Sequence, residues 1–183
     1  MNTIYFLTNN KGKFNEIKNF LADKKIKIQQ IKIDLDEIQG VNPKKIITHK
    51  VKEALKHGLK NFFLEDTSLY INGLGQLPGP LIKWFLSELK NPGLARLANK
   101  MGHGQAHAET IIAFAKDKKH IYYFSGVTQG KIVAPRGTND FGWGPTFQPT
   151  DSPKTFGQMS TAEKQKWSMR IKAFKKFKRF VQE

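Results

Sequence analysis

Apolar and polar positions along the chain fall into short runs whose period changes repeatedly, and those changes predict the elements. Thr3 to Leu7 is a β-rich run; the polar turn Thr8 to Lys13 follows, and Phe14, Ile17, Phe20 and Leu21 then recur at helical spacing. Ile26, Ile28, Ile31, Ile33 and Leu35 alternate with a slip of phase at Gln29 and Gln30, which predicts a strand from Ile26 to Leu35 carrying a bulge. Asn42 and Pro43 supply the cap and first residue of a helix with Ile47, Val51, Ala54 and Leu55 on one face and Gly58 as its stop. Asn61 to Leu64 reads as a buried strand ending in Glu65 and Asp66, and Leu69 to Ile71 as a second short strand. Beyond the Gly- and Pro-rich loop, Pro80 is expected to open a helix carrying Lys83 and Trp84. Asn91-Pro92 breaks it before another helix through Leu94, Leu97, Ala98 and Met101.

The second half predicts a hairpin, Thr110 to Ala115 and Ile121 to Val127, around Asp117 to His120, with Lys131 to Val133 extending the second arm. Ser160 and Glu163 form a capping box opening the last helix. Its apolar face is Trp167, Ile171, Phe174, Phe177 and Val181, with Lys164, Lys166, Arg170 and Lys172 as a basic rim. Strand–helix units followed by a hairpin imply an α/β fold with a mixed sheet.

Length and composition narrow the class. With 183 residues, 39% apolar and 14 Phe, the chain is globular and fits a single domain over 1–183, or two lobes sharing a sheet. The absence of cysteine excludes disulfides, thiolate metal ligands and a cysteine nucleophile, so any metal is held by oxygen or imidazole. No 18-residue apolar run occurs and the N-terminus does not read as a leader, so a soluble, cytoplasmic protein without a membrane partner is expected. A net charge of +16 makes polyanions natural partners, nucleic acid among them. Frequent Lys, Ile, Asn and Phe explain the same charge as compositional bias, and its lysines are spread over Lys24 to Lys32, Lys44 to Lys60 and Lys164 to Arg179.

The chemistry concentrates at strand ends. Glu65 and Asp66 close one apolar run, while Asp34, Asp36 and Glu37 close another. A carboxylate beside a buried strand needs a cation, a donor or water, and a metal ion is the sharpest of these; a strand end with a turn and a surface helix is the plain alternative. Backbone N–H groups at the first predicted helix start, with Lys11 and Lys13 beside them, suit phosphate oxygens, although the spacing is not that of the common Gly-rich nucleotide loop. His103 and His107 are read as loop histidines rather than metal ligands. In the loop Pro135 to Pro145, Phe141 and Trp143 offer either a stacking surface for a flat ring or a buried aromatic corner.

Taken in order, TNNKGKFNEI, LEDTSL, LGQLPGPLIKWF, IVAPRG, DFGWGPTFQP and STAEKQKWSMR resemble the inosine triphosphate pyrophosphatase family, the Ham1-type house-cleaning enzymes, over almost the whole chain. The resemblance implies an elongated α/β fold, a mixed sheet flanked by helices with two lobes and a central cleft, and a homodimer. It implies hydrolysis of ITP, dITP or XTP to the monophosphate and pyrophosphate with magnesium, manganese being a substitute. By position it implies that Thr8, Asn9, Asn10, Lys11, Gly12 and Lys13, with Lys50 and Lys83, hold the triphosphate, and that Asp66 and Thr67 also bind substrate. Glu37 and Asp66 would bind the metal, Asp66 also activating water. Phe141, Gly142, Trp143, Gly144, Lys164, Ser168, Met169 and Arg170 would form the base pocket.

Three positions depart from the family pattern: FGWGP stands where FGWDP is usual, SMR where SHR is usual, and Gln158 where Glu is usual. A carboxylate and an imidazole that suit the N1–H and O6 of a 6-oxopurine are therefore replaced by Gly144 and Met169. The expectation is intact catalysis with altered base selectivity, Gly144 adding space that admits adenine or a purine enlarged at the 6-position. The alternative is an inactive relative that binds nucleotide or nucleic acid through its charge.

Overall fold

The computed structural model describes residues 2–21 and 26–183; Lys24 and Lys25 of the first basic cluster lie outside them. In chain order the elements are β1 (Asn2–Leu7), α1 (Lys11–Leu21), β2 (Ile26–Ile31), α2 (Pro43–Lys56), β3 (Phe62–Ile71), β4 (Pro78–Gly79), α3 (Ile82–Gly102), β5 (Gln105–Ala115), β6 (Ile121–Ile132), β7 (Phe147–Pro149), α4 (Thr161–Trp167) and α5 (Met169–Gln182). The seven strands form one mixed sheet in the order β2-β1-β3-β5-β6-β7, with β4 on β3. β1 pairs in parallel with β2 and β3, while β4 and β7 pair antiparallel with β3 and β6. The α/β class with a mixed sheet and helices is as the sequence implies.

By internal contacts the chain divides into two compact units. The first comprises Met1–Asp66, Thr110–Gly126 and Arg170–Glu183; the second comprises Thr67–Glu109 and Val127–Met169.

The first unit has two apolar clusters, and strand alternation generates them. Phe63 lies with Ile17 and Leu21 of α1 and Phe174 and Phe177 of α5, whereas its neighbours Phe62 and Leu64 lie with Ile47, Val51 and Leu55 of α2. The first cluster is strongly aromatic: Phe6 and Phe63 stack at 4.4 Å, and Phe174 meets Phe63 edge-on at 5.5 Å. Each fully buried ring of this kind stabilises by about 1.5–3 kcal/mol through burial alone. In the second unit, Leu69, Ile82, Leu94, Ala98, Trp143, Phe147, Phe156 and Met169 share one cluster.

Five local expectations are corrected. β2 ends at Ile31 and its register against β1 runs unbroken through Gln29 and Gln30, so there is no bulge; Gln30 turns its amide to the Thr8 carbonyl at 2.8 Å. β3 is one ten-residue strand, so Glu65 and Asp66 stand in its middle rather than at an end. The helix carrying Lys83 starts at Ile82, not Pro80; the break expected at Asn91-Pro92 is present, the non-helical backbone of Lys90 (φ 53, ψ 178) dividing α3 into two helical stretches. His103 is the left-handed C-cap of α3, and His107 lies on β5 with its ring stacked on Tyr70 at 4.6 Å. The last helix is two, broken at Ser168, whose backbone is extended.

Other signals are met as read. Asn42 caps α2 by accepting from the Lys45 N–H at 3.0 Å, with Pro43 first. Gly58 follows α2 at φ 76, the conformation that ends helices at least cost. The Ser160–Glu163 capping box is formed, the Ser160 N–H donating to Glu163 at 2.8 Å.

Candidate functional site

Because side chains alternate along β3, consecutive carboxylates meet opposite surroundings. Glu65 faces α1 and α5. Lys13 Nζ lies 2.6 Å from its Oε1, and Arg170 Nε donates to its Oε2 at 3.1 Å. Arg170 also bridges to Glu16 at 2.7 Å. Burial works against the charge on Glu65, but Arg170 and Lys13 outweigh it and hold the carboxyl down at about 2. The Arg170 guanidinium is likewise penalised by burial and pushed up on balance by Glu65 and Glu16. Arg170, read from sequence as part of a basic rim and implied for the base pocket, is instead 3% exposed and committed to this network.

Asp66 shares the face of Phe62 and Leu64, toward α2. Its Oδ2 is enclosed and has no hydrogen-bond partner among the described residues. Burial pushes its carboxyl above the ordinary aspartate range; Lys13 and Lys50 oppose that rise, and Glu65 and Glu37 add to it. Lys50, on α2, bonds Glu37 at 2.9 Å. Glu37 stands in the 32–42 segment, which His49 Nδ1 ties at the Asp36 carbonyl, 3.2 Å away.

The segment between β1 and α1 is shaped by its own side chains. Asn10 accepts from the Lys13 N–H at 3.0 Å, capping α1, and its N–H donates to Thr8 Oγ1 at 3.1 Å. Asn9 reaches the Ile33 carbonyl at 3.2 Å. Lys11, Gly12 and Lys13 thus occupy the first turn of α1, where N–H groups point outward and the helix dipole favours an anion.

The orphaned Asp66 oxygen tests whether a divalent cation suits these residues. An enclosed carboxylate oxygen without a donor, raised in pKa and within electrostatic reach of a second carboxylate, fits an oxygen-seeking ion such as Mg²⁺, which keeps several waters and needs few protein ligands. Among the described residues no group of three or more carboxylates and imidazoles converges, so His103 and His107 take no part in such a cluster.

In the second unit, the two loop aromatics divide between the alternatives left open by the sequence. Trp143 is core, 9% exposed and edge-on to Phe147 at 5.4 Å, whereas Phe141 is 42% exposed with Lys164 Nζ 5.4 Å from its ring centroid. Asn91, next to the α3 kink, holds this loop by donating to the Gly142 carbonyl at 3.0 Å. Lys164 donates to Asp140 Oδ1 at 2.8 Å, with both side chains about nine-tenths buried. The space expected beside Gly144 is not there: a Cβ at 144 would lie 2.5 Å from Asp140 Cγ and closer still to Oδ2. Met169 is 3% exposed within the apolar cluster, and Ser168 is fully buried at the α4–α5 break. Gln158 completes a capping box with Thr155, accepting from its N–H at 3.1 Å, a task Glu and Gln perform equally. Lys83 and Trp84 are exposed on α3, the ammonium 5.5 Å from the indole, and Thr67 is half-buried on β3. The Asp140–Lys164 pair is the feature that sequence reasoning missed. Its only signal was the acid four residues before the unexpected glycine.

The fold and these side chains define a mixed α/β protein with a lysine-flanked acidic centre in one unit and a loop in the other where Lys164 lies beside the rings of Phe141 and Phe156. Comparison with known proteins gives that class a family: the Ham1 family model matches residues 4–180, and the chain belongs to this family. It is 34% identical over its full length to an inosine triphosphate pyrophosphatase of Schizosaccharomyces pombe, covering 96% of that protein. With one of Candida glabrata it is 37% identical, over 97% of this chain and 96% of that one. Its fold matches the solved structure of a HAM1 protein from Coxiella burnetii with a TM-score of 0.84 at 21% identity, over 100% of this chain and 99% of that one.

Proposed function

We propose that this protein, acting as one domain over 1–183, is a nucleoside triphosphate pyrophosphatase: it hydrolyses non-canonical purine triphosphates to the monophosphate and pyrophosphate, with a divalent cation, Mg²⁺ or Mn²⁺. Membership of the Ham1 family and similarity to proteins named inosine triphosphate pyrophosphatase carry the reaction class. The observation that carries the site is the enclosed Oδ2 of Asp66, which has no hydrogen-bond partner among the described residues.

In this reading the N-terminal turn of α1 and the hydroxyl of Thr8 receive phosphate oxygens through hydrogen bonds. Lys13 has three N–H donors and Glu65 engages part of that capacity, so the ammonium both stays fixed and can donate to a phosphate. Lys50, anchored by Glu37, and Lys83 neutralise the charge that builds on the departing pyrophosphate. Asp66 takes the proton of the attacking water as the new bond to the α-phosphorus forms and the bond to the bridging oxygen breaks. When bound by Asp66 and Glu37, the cation supplies a lowered pKa for that water and offsets charge on the phosphoryl oxygens. The exposed ring of Phe141 offers a stacking surface for the base, and this part of the chain departs from the family pattern at Gly144 and Met169.

Pyrophosphate release from ITP in Mg²⁺ buffer tests the proposal, with Asp66→Asn abolishing it; retained turnover in that variant would contradict the assignment. The net charge of +16 favours one rival, a non-catalytic nucleotide or nucleic-acid binder, which predicts salt-sensitive RNA or DNA binding and no pyrophosphate from any triphosphate. Among the described residues no helix is long and apolar enough to cross a membrane. A working homodimer in the cytoplasm belongs to the same proposal, and sedimentation of the purified protein at micromolar concentration checks the assembly.

A further inference from the structure

We propose that His49 is a positioning residue for the cation site: through the Asp36 carbonyl it fixes the backbone from which Glu37 projects, without drawing on either Glu37 carboxylate oxygen. This rests on the reading of Glu37 and Asp66 as the carboxylates that hold a divalent cation. Glu37 stands in the 32–42 segment between β2 and α2, which has no regular secondary structure. Ile33 and Leu35 pack partly against the cluster around α2, but Asp36, Glu37, Ile38 and Gln39 are all exposed, so burial does little to hold the backbone there. Two adjacent residues of α2 reach it instead. Lys50 Nζ donates to Glu37 Oε2 at 2.9 Å, and His49 Nδ1 meets the Asp36 carbonyl oxygen at 3.2 Å. α2 is a fixed base for both, because Ile47, Val51 and Ala54 are fully buried and Thr48 shares a hydrogen bond with Tyr123 of β6 at 2.8 Å.

The two ties differ in what they grip. A cation bound by Glu37 draws on the same carboxylate that Lys50 engages, so the hold of the ammonium weakens as the site fills. The His49 bond grips the main chain and is untouched by that competition. Because the peptide group is planar, fixing the Asp36 oxygen fixes the N and Cα of Glu37 with it and narrows the directions its side chain can take. A carbonyl oxygen only accepts, so Nδ1 carries the proton, as it does in the imidazolium and in one neutral tautomer. Nε2 lies 3.9 Å from Glu53, beyond hydrogen-bond range, so the ring is oriented by its Nδ1 contact. His49 thus stands to Glu37 as outer contacts stand to metal ligands in general, setting their direction while leaving their oxygens to the ion.

The test compares wild type, His49→Ala, His49→Asn and Glu53→Gln. Mn²⁺ binding in the presence of a nonhydrolysable ITP analogue, read from loss of the free-ion electron paramagnetic resonance signal, measures cation affinity without turnover. Hydrogen exchange read by mass spectrometry reports on the backbone of residues 36–39 in the metal-free protein. Alanine is the best helix former, so His49→Ala keeps α2 intact, and thermal melts check it. His49→Ala should weaken Mn²⁺ binding about 3- to 10-fold, the net worth of one hydrogen bond. It should raise the Mg²⁺ concentration for half-maximal pyrophosphate release by the same factor, leave kcat at saturating Mg²⁺ near the wild-type value, and speed exchange at 36–39. The side-chain NH₂ of asparagine stands where Nδ1–H stood, so His49→Asn should recover most of each loss. Glu53→Gln should change none of them, since its carboxylate takes no part in the tie. Wild-type Mn²⁺ affinity in His49→Ala, or an equal loss in His49→Ala and His49→Asn, would overturn the proposal while leaving the pyrophosphatase reading standing. A wild type that releases no pyrophosphate from any triphosphate and binds no Mn²⁺ with the analogue would overturn both.

Discussion

On the two faces of β3, consecutive carboxylates have been given opposite lives. Glu65 is charge-paired: Lys13 and Arg170 flank it, Glu16 completes the network, and its carboxyl is held at about 2. Asp66, one residue on, has an enclosed oxygen with no donor among the described residues and a carboxyl raised by burial. Both are acidic side chains in the middle of the same strand, so the difference comes from what each face meets. The Phe63 face brings up a helix start with Lys13 and the first turn of α5 with Arg170. The Leu64 face brings up α2, whose nearby lysine is already engaged by Glu37. A buried carboxylate that is fully paired serves architecture. One left short of a partner is costly to maintain, and binding of a cation removes that cost.

This comparison can be broken by variants that treat the two residues alike. Asp66→Asn has the largest expected effect, a loss of pyrophosphate release of about a thousandfold or more, as follows from the proposed roles of Asp66 as metal ligand and base. Its melting temperature should hold or rise, because a neutral amide replaces a charge that burial disfavours. Glu65→Gln should do the reverse and destabilise by about 3–5 kcal/mol, because it removes one of the two carboxylates that balance buried Arg170 and the one that pairs Lys13; chemical denaturation reads it. The pH dependence sharpens the contrast. The folded-state value of Glu65 is depressed below the ordinary 4.5, so its contribution to stability is fully present above about 4.5 and is lost as pH falls from there toward about 2. Melting curves taken across that window should fall more steeply for wild type than for Glu65→Gln. Lys50→Met, which frees Glu37, should alter apparent metal affinity by about 10- to 100-fold with little change in stability, as outer contacts to metal ligands do. Smallest of all, Lys56→Ala removes an exposed ion pair with Glu53 and should leave the melting temperature where it is.

Local signals carried most of the fold. Asn42, Pro43 and Gly58 delimit α2 as read, and Ser160 with Glu163 starts α4, because caps and turns depend on a few adjacent residues. The errors arose where distant partners decide. Glu65 and Asp66 looked like a strand's end because charge is seldom buried in mid-strand, yet Arg170, 105 residues away, makes Glu65 tolerable there. The same ion network removed Arg170 from the surface on which a helical wheel places it. Gly144 implied vacant space by composition alone, while Asp140, four residues earlier, fills it through the turn at Gly142 (φ 62). The site's residue types were legible; their division between paired and unpaired was not, since pairing belongs to tertiary packing.

The central claim is that Asp66 is held in reserve for a divalent cation. Carbon-13 NMR of the labelled Asp66 carboxyl, titrated against pH with and without Mg²⁺ and a nonhydrolysable ITP analogue, tests it directly. The account predicts a midpoint above the ordinary aspartate range in the free protein and a marked fall when both ligands are added. A midpoint at or below that range in the free protein, unmoved by Mg²⁺ and nucleotide, would contradict it.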